Sequence, residues 1–272
     1  MPAVSAATGP VAVMGHDPEH EWVPPTLDTA RPNVARMYDY YLGGKDHFAV
    51  DREAAELTLA VLPEVRDVCL ANRRFLVGAV AAAARAGIRQ FVDLGTGIPT
   101  RPSVHETARA VHPDAAVVYV DNDPVVVAHN RALLCDDAGV ATVRGDLRDP
   151  DAVLGDPEVQ QVVDLSRPVM VMLIAVLHFV DLKAAPGVVA RLARDLAPGS
   201  RVAISAAASD GVDEQVRHRV EEIYAAANAP FVYRTRAEFR ALFGGLELEP
   251  PGVVELLRTP SACGVAAVAS VR

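Results

Sequence analysis

From residue 87 onward the chain alternates between short apolar runs and segments in which apolar residues recur every three or four positions. Short apolar runs are typical of strands buried on both faces, and the longer spacing is typical of helices. The runs predict strands at 89–94, 116–120, 141–144, 169–174 and 201–205. The segments between them predict helices at 103–111, 124–134, 149–163 and 186–196. Strands and helices in this order predict a doubly wound, mostly parallel sheet.

The C-terminal part of the pattern differs. Helices are predicted at 212–228 and 236–243, and two apolar segments follow at 253–257 and 264–271. These two segments are too close in the chain for a crossover helix, so we expect them to pair as an antiparallel hairpin. The whole predicts an α/β, Rossmann-like sheet of seven strands.

The first part of the chain is expected to be helical. Apolar residues at helical spacing predict helices at 33–42, 51–61 and 64–86, with Asp51 as the cap of the second. Gly43 and Gly44 end the first helix, and Gly87 ends the third. We therefore divide the chain into a flexible tail at 1–25, a helical cap at 26–88 and a ligand-binding core at 89–272.

Composition narrows the class of protein. The chain has 272 residues, of which 51% are hydrophobic, and a formal net charge of −9. This charge argues against a broad nucleic-acid surface. The three cysteines are widely spaced, and no apolar run is long enough to span a bilayer. We expect a cytoplasmic protein with no membrane partner and no metal site, and the sequence leaves its oligomeric state open.

The first strand ends in a turn suited to a ligand. Asp93 precedes Gly95, Thr96 and Gly97, and Pro99 stands where a dinucleotide fingerprint continues towards a third glycine. Glycines allow the backbone to turn sharply and a ligand to approach it. The acid would repel a pyrophosphate, so a cationic or zwitterionic ligand fits better than NAD.

Three acids, Asp93, Asp121 and Asp146, fall at the ends of three successive strands. The carboxyl ends of parallel strands line one edge of the sheet, so we expect these acids to converge on one cleft. Asp121, next to Asn122, lies roughly 20 residues beyond the glycines, where an acid accepts from ribose hydroxyls. Asp146 can accept from the adenine amine beside the Leu147 amide, and Asp93 can hold the glycine turn near a positive group. The set predicts S-adenosyl-L-methionine, although acids after strands also cap helices.

Four segments carry a resemblance to a known family. They are the segments at 28–46, which contains Tyr-Asp-Tyr-Tyr-Leu-Gly-Gly-Lys, at 71–75, at 93–100 and at 120–124. Together they resemble a bacterial family of S-adenosyl methyltransferases, found mainly in high-G+C bacteria and long known as a domain of unknown function. The resemblance covers about residues 26 to 270. It implies a Rossmann-like methyltransferase core with a helical N-terminal extension, and it implies no particular methyl acceptor.

The tyrosine-rich segment and one histidine are further candidates. Tyr38 and Lys45 can fold over the cofactor, and Lys45 or Arg73 can pair with its carboxylate. The alternative is an ordinary docked helix that ends at two glycines. His178, just after the fourth strand, is the candidate catalytic base, because an imidazole there can take a proton from an oxygen or nitrogen nucleophile. A buried histidine without a catalytic role is the alternative.

These patterns predict an S-adenosylmethionine-dependent methyltransferase of class I. Methyl transfer requires mainly close positioning of donor and acceptor, so the absence of an elaborate catalytic motif is compatible with it. We expect a small-molecule acceptor that is methylated on oxygen, nitrogen or carbon. Two alternatives stay open: an NAD(P)-dependent oxidoreductase, and a non-catalytic regulator that binds S-adenosylmethionine or another nucleoside.

Overall fold

The computed structural model describes residues 28–134 and 138–272, so the tail predicted at 1–25 lies outside the described residues. The strands of the described chain are β1 (Gln90–Leu94), β2 (Ala116–Asp121), β3 (Val140–Arg144), β4 (Met170–Ile174), β5 (Arg201–Ala207), β6 (Glu247–Leu248), β7 (Val254–Arg258) and β8 (Cys263–Ser270). Its helices are α1 (Val34–Tyr41), α2 (Ala49–Val61), α3 (Val65–Arg85), α4 (Val104–Arg109), α5 (Pro124–Leu134), α6 (Pro150–Leu154), α7 (Pro157–Val162), α8 (Ala185–Arg194), α9 (Glu214–Ala225) and α10 (Arg236–Ala241). None of the helices in these ranges combines the length and apolar content needed to cross a membrane.

All eight strands belong to one sheet with the order β3-β2-β1-β4-β5-β8-β6, and β7 also pairs with β8. Strands β1 to β5 are parallel, and β8 is antiparallel to its neighbours. The chain moves from β1 outwards to β3 and then returns to the other side of β1 at β4. The direction in which the strands are added therefore reverses between β1 and β4. Sheets of this kind bind ligands at such a point, at the carboxyl ends of the strands.

The predicted fold class is confirmed, with one more strand than expected. The hairpin of β7 and β8 forms as predicted. The additional strand is β6, which has only two residues and pairs with the end of β8. Two residues are too few to show a period in the sequence.

The strands are buried because helices cover both faces of the sheet. Val92 and Leu94 of β1 point into one apolar core, with side chains of α6 to α8 and α10. Phe91 of the same strand points into the second core, against the C-terminal part of α3 and against α4. Successive residues of a strand face opposite sides, so the continuous apolar runs reflect two buried faces.

The N-terminal helices form where they were predicted, but Asp51 does not cap α2. The helix begins at Ala49 with Phe48 at its N-cap, and Asp51 lies inside the first turn. Its carboxylate is fully buried and accepts from the amides of Asn33 and Phe48, both at 2.8 Å, and from Arg36 Nε at 2.6 Å. Asp51 therefore ties α1 to α2, because a buried acid requires this many partners.

Helix α3 serves two parts of the molecule. Its first half, with Val65 and Cys69, packs with α1, α2 and α9 in a third apolar cluster. Its second half, with Leu76 and Val80, packs on the sheet. The N-terminal helices are consequently joined to the core through one continuous element.

Candidate functional site

The glycine turn after β1 is shaped by close packing. Gly95 and Gly97 have φ angles of 73° and 67°, which L side chains rarely adopt. A Cβ on Gly95 would also overlap Val176, which follows β4. The Gly95 amide donates to the Val120 carbonyl at 2.8 Å, and the Gly97 amide donates to Asp121 Oδ2 at 3.0 Å. Asp121, rather than the predicted Asp93, thus holds the backbone of this turn.

Asp93 and Asp121 lie at the ends of adjacent strands and are 6% and 9% exposed. Burial raises the pKa of each to about 6. Hydrogen bonds to the carboxylates, from the Thr96 side chain to Asp93 and from the Asp123 and Gly97 amides to Asp121, oppose that rise. Within the described chain, no Lys, Arg or His nitrogen lies within ion-pair distance of either acid. Two buried carboxylates of this kind are suited to a ligand that brings hydroxyl donors or positive charge.

Asp146 lies beside the same cavity with Leu147, but its carboxylate has a partner. Its Oδ2 atom is 2.5 Å from Arg148 Nη2, and Oδ1 accepts from the Arg148 amide at 2.9 Å. These hydrogen bonds hold the pKa of Asp146 below its usual range. An adenine amine would therefore share this carboxylate with Arg148.

The loop after β2 is fixed by the N-terminal helices. Asn33, the N-cap of α1, donates from Nδ2 to Asp123 Oδ2 at 2.5 Å. The Asp123 amide in turn donates to Asp121 Oδ1 at 3.0 Å, and Asn122 lines the cavity between the two acids in the chain. Asp123 thus links helix α1 to Asp121 by hydrogen bonds to both.

A second link runs from α1 to the ends of β4 and β5. Asn72 Nδ2 donates to Tyr38 Oη at 2.9 Å, and Ser205 Oγ donates to Asn72 Oδ1 at 2.5 Å. The amide of Ala175, just after β4, donates to Ser205 Oγ at 3.0 Å. Tyr38 Oη also contacts the Cys69 carbonyl at 3.3 Å. Tyr38 lines the cavity, and this chain of hydrogen bonds fixes its hydroxyl group there.

The two cationic candidates have different positions. Arg73 lines the cavity, and its Nη2 atom donates to the carbonyls of Thr100 and Pro102 at 3.1 and 2.9 Å. Arg73 thereby holds the segment after the glycine turn. Lys45 is exposed and is not among the residues that line the cavity. The prediction that Lys45 folds over the ligand is therefore not supported by this arrangement.

Both glycines before Lys45 have a steric reason. Gly43 has a φ angle of 80°, as expected just after a helix. A Cβ on Gly44 would overlap the carboxylate of Asp39, which also accepts from the Asp46 amide at 2.9 Å. The Gly-Gly-Lys motif is consequently a tight loop folded around Asp39.

His178 lies in a 3₁₀ turn at Leu177–Phe179, after β4, and lines the same cavity as the acids. Its ring stacks on Phe231 with centroids 4.5 Å apart and meets Phe179 edge-on at 4.4 Å. The side chain is 7% exposed, and its Nδ1 atom is buried without a hydrogen-bond partner. Burial, and to a lesser degree the nearby Arg234 charge, lowers the pKa of His178 to about 3. The imidazole is therefore neutral at neutral pH.

The comparisons with known proteins agree with this geometry. A sequence profile described as S-adenosyl methyltransferase matches residues 20–260. The chain belongs to the S-adenosyl methyltransferase family. A candidate methyltransferase from Thermobifida fusca YX is 37% identical, with a TM-score of 0.84, over 92% of this chain and 99% of that chain. A DUF574-family protein from Streptomyces avermitilis MA-4680 is 40% identical, with a TM-score of 0.85, over 90% of this chain and 99% of that chain. Among curated proteins, none matches this chain.

Family membership makes this protein a methyltransferase and makes S-adenosyl-L-methionine its cofactor. The nicotinamide and non-catalytic alternatives are therefore set aside. The cavity of the methyltransferase fits that cofactor in two respects. The left-handed turn at Gly97 leaves its backbone open to a ligand, since a Cβ there would meet only Ala35, at 4.0 Å. The buried acids Asp93 and Asp121 are of the chemical kind that accepts hydroxyl groups and positive charge, both of which this cofactor carries.

Sequence reasoning missed several residues of this methyltransferase site. Asn33, Asn72 and Ser205 carry the hydrogen bonds that join the N-terminal helices to the strand ends. Phe231 and Tyr233 lie in the irregular segment before α10. A signal was present for these two, because two aromatic residues follow Pro230 closely in a chain that is only 5% aromatic. No local signal marked Asn33, whose partner Asp123 is 90 residues away.

Proposed function

We propose that this methyltransferase transfers the methyl group of S-adenosyl-L-methionine to a small-molecule acceptor, on oxygen, nitrogen or carbon. The observation that carries the proposal is one continuous cavity of about 330 Å³. It begins at the acids at the carboxyl ends of β1 and β2 and extends past Ala175 to an aromatic region at the carboxyl ends of β4 and β5 and the start of β8. Its volume is in the range of about 300–1,000 Å³ that is usual for small ligands.

The strand-end residues would hold the cofactor. We assign Asp121 to the ribose hydroxyls, because its carboxylate already faces the glycine turn and is desolvated. We assign Asp93 to the positively charged end, with Gly95, Thr96 and Gly97 supplying the backbone beside it. Asn122, Asp146 and Leu147 would contact the adenine, and Tyr38 and Arg73 would contact the amino-acid end. These assignments are supported by the shared cavity.

When bound, the cofactor supplies an electrophilic methyl group on a sulfonium. The task of the chain is to align the acceptor with this methyl group and to exclude water, which can contribute a large part of the rate. Hydrogen bonds join Tyr38, Asn72 and Ser205 into a polar link where the acid-lined part of the cavity meets its aromatic part. His178 can exchange a hydrogen bond with the acceptor. It is a weak general base, because a group with a pKa of about 3 holds a proton poorly near pH 7.

The test follows a methyl label from the cofactor. Purified protein is incubated with methyl-labelled S-adenosylmethionine and a bacterial extract, and the label is followed in small-molecule, protein and nucleic-acid fractions. We expect label in the small-molecule fraction and equimolar S-adenosylhomocysteine. Label found only in protein or nucleic acid would overturn the proposed acceptor class.

Two variants anchor this test. Asp121→Ala is expected to abolish both S-adenosylhomocysteine binding and transfer. Asp114→Ala is the matched control, because Asp114 is an exposed surface acid that pairs with Arg89. Equal transfer by the two variants would show that the strand-end acid does not hold the cofactor.

A further inference from the structure

The two ends of the cavity differ in charge. Among the described residues, the charged ones that line it lie on α1 or α3, at the carboxyl ends of β1 and β2, or in the loops after β2 and β3: Asp39, Arg73, Asp93, Asp121, Asp123, Asp146 and Arg148. The other end lies at the carboxyl ends of β4 and β5 and at the start of β8. Among the described residues that line this end, none is Asp, Glu, Lys or Arg.

Rings surround the uncharged end, which we call the aromatic end. It is formed by Tyr41, His178, Phe179, Tyr224, Phe231 and Tyr233. Phe231 is the centre of the group: its ring lies 4.5 Å from His178, 5.1 Å from Tyr224 and 5.0 Å from Tyr233. Aromatic rings at these separations favour offset or edge-on contacts with a further ring.

Desolvation then selects the charge of the acceptor. A carboxylate or ammonium group at the aromatic end would lose its water without gaining an ion-pair partner from the lining, which is costly. A neutral molecule loses far less hydration free energy, and its polar groups can form hydrogen bonds with the tyrosine hydroxyls or with the imidazole of His178. Tyr41 and Tyr224 already contact each other, Oη to Oη, at 3.3 Å. These groups offer hydrogen bonds and no full charge.

Positive charge lies behind this lining, in buried Arg234 and in half-buried Arg217, which acts on Tyr233 and has a buried Nε atom without a hydrogen-bond partner. Arg234 is 1% exposed, and its Nη2 atom donates to the Val180 carbonyl at 2.6 Å, while Nη1 is buried without a hydrogen-bond partner. Arg234 is not among the residues that line the cavity. Its positive charge adds to the penalty against a cationic acceptor. It also makes an anionic acceptor the main competing possibility.

We propose that the methyl acceptor is a neutral, largely apolar, ring-containing small molecule that binds at the aromatic end of the cavity through its ring. The proposal rests on the proposed function, since the aromatic end is taken as the acceptor side of the methyltransferase. It excludes amino acids, nucleotides and other permanently charged metabolites as acceptors.

The experiment uses three probes of the same ring and different charge. These are 2-naphthol, 2-naphthoate and protonated 2-naphthylmethylamine, titrated by calorimetry at pH 7.5 into full-length protein saturated with S-adenosylhomocysteine. We expect 2-naphthol to bind at least about tenfold more tightly than either charged probe. Equal or tighter binding of 2-naphthoate would overturn the proposal in favour of an acceptor attracted by Arg234. Equal or tighter binding of the amine, or no binding of 2-naphthol at millimolar concentration, would also overturn it.

The same titrations separate this proposal from the proposed function. Failure of S-adenosylhomocysteine itself to bind would remove the proposed function, whereas its binding without 2-naphthol would remove only the acceptor class. Phe231→Leu, which keeps an apolar side chain but loses the ring, is expected to weaken 2-naphthol about three- to tenfold and to leave S-adenosylhomocysteine unchanged. Phe243→Leu, in the ring pair with Phe239 outside the cavity lining, is the control for a general loss of packing. Equal effects of both variants on 2-naphthol would contradict the assigned contact.

Discussion

The raised pKa values of Asp93 and Asp121 predict that cofactor binding depends steeply on pH. Both acids titrate near pH 6 in the unliganded protein because burial penalises their charged forms. A ligand that brings ribose hydroxyls and positive charge binds the ionised forms. Affinity for S-adenosylhomocysteine should therefore be nearly constant above pH 7 and should fall below pH 6.

The magnitude follows from the two titrations. At pH 5, one unit below the pKa, only about a tenth of each acid is ionised, so each weakens binding roughly tenfold. If the two acids titrate independently, their protonation together weakens binding of S-adenosylhomocysteine roughly a hundredfold between pH 7.5 and pH 5. Calorimetry across this range measures the affinity and, in buffers of different ionisation enthalpy, the number of protons released.

Stability of the unliganded protein should depend on pH in the opposite direction. The folded pKa of Asp121 is raised above its ordinary value near 4, so this contribution to stability is complete below pH 4 and is lost as the pH rises through about 6. Asp121→Asn removes one of the two titrations, and its affinity should fall only about tenfold between pH 7.5 and pH 5. Affinity of the unmodified protein that is flat over this range would refute the reasoning, because the buried acids would then not contact the ligand.

Three further predictions concern the N-terminal helices. Gly44→Ala should lower the denaturation midpoint, since the Asp39 carboxylate must move away from the Asp46 amide to make room for the Cβ, whereas Gly78→Ala inside α3, with nothing within 4 Å, should stabilise the protein by up to about 1 kcal/mol. Equal effects would contradict the close contact at Gly44. Asp51→Asn should cost roughly 3–5 kcal/mol in urea unfolding, because it leaves buried Arg36 without its ion-pair partner; a loss below about 1 kcal/mol would count against that. Asn33→Ala should weaken S-adenosylhomocysteine in calorimetry by several-fold, beyond the roughly 1 kcal/mol of stability lost with a helix cap. Unchanged affinity would show that the link through the loop after β2 does not support the site.

The sheet and the strand-end acids were predictable because both follow from local patterns. Buried parallel strands require continuous apolar runs, and their ends share one edge of the sheet. Asp93 and Asp121 could therefore be placed together before any coordinates. The capping boxes of Ser103 with Glu106 and of Thr235 with Glu238, at the starts of two predicted helices, are equally local patterns.

The details of the site depended on contacts between distant parts of the chain. Sequence could not show that Asp121, and not Asp93, takes the Gly97 amide, because that depends on the register of β1 and β2. Nor could it show that Lys45 faces solvent, since the loop that carries it is set by the packing of Asp39. Asp146 illustrates a different limit: its partner Arg148 is two residues away, but only the geometry of the turn brings the two groups together.

The packing of α3 against two parts of the molecule affects how the cavity can open. Its second half is fixed on the sheet by Leu76 and Val80, so this helix cannot swing outward as part of a moving flap. Movement of α1 and α2 away from the cavity would then leave α3 in place. Such a movement would break the hydrogen bonds of Asn33 to Asp123 and of Tyr38 to Asn72 at the same time. Opening of the cavity would thus be coupled to the positions of the residues that line it.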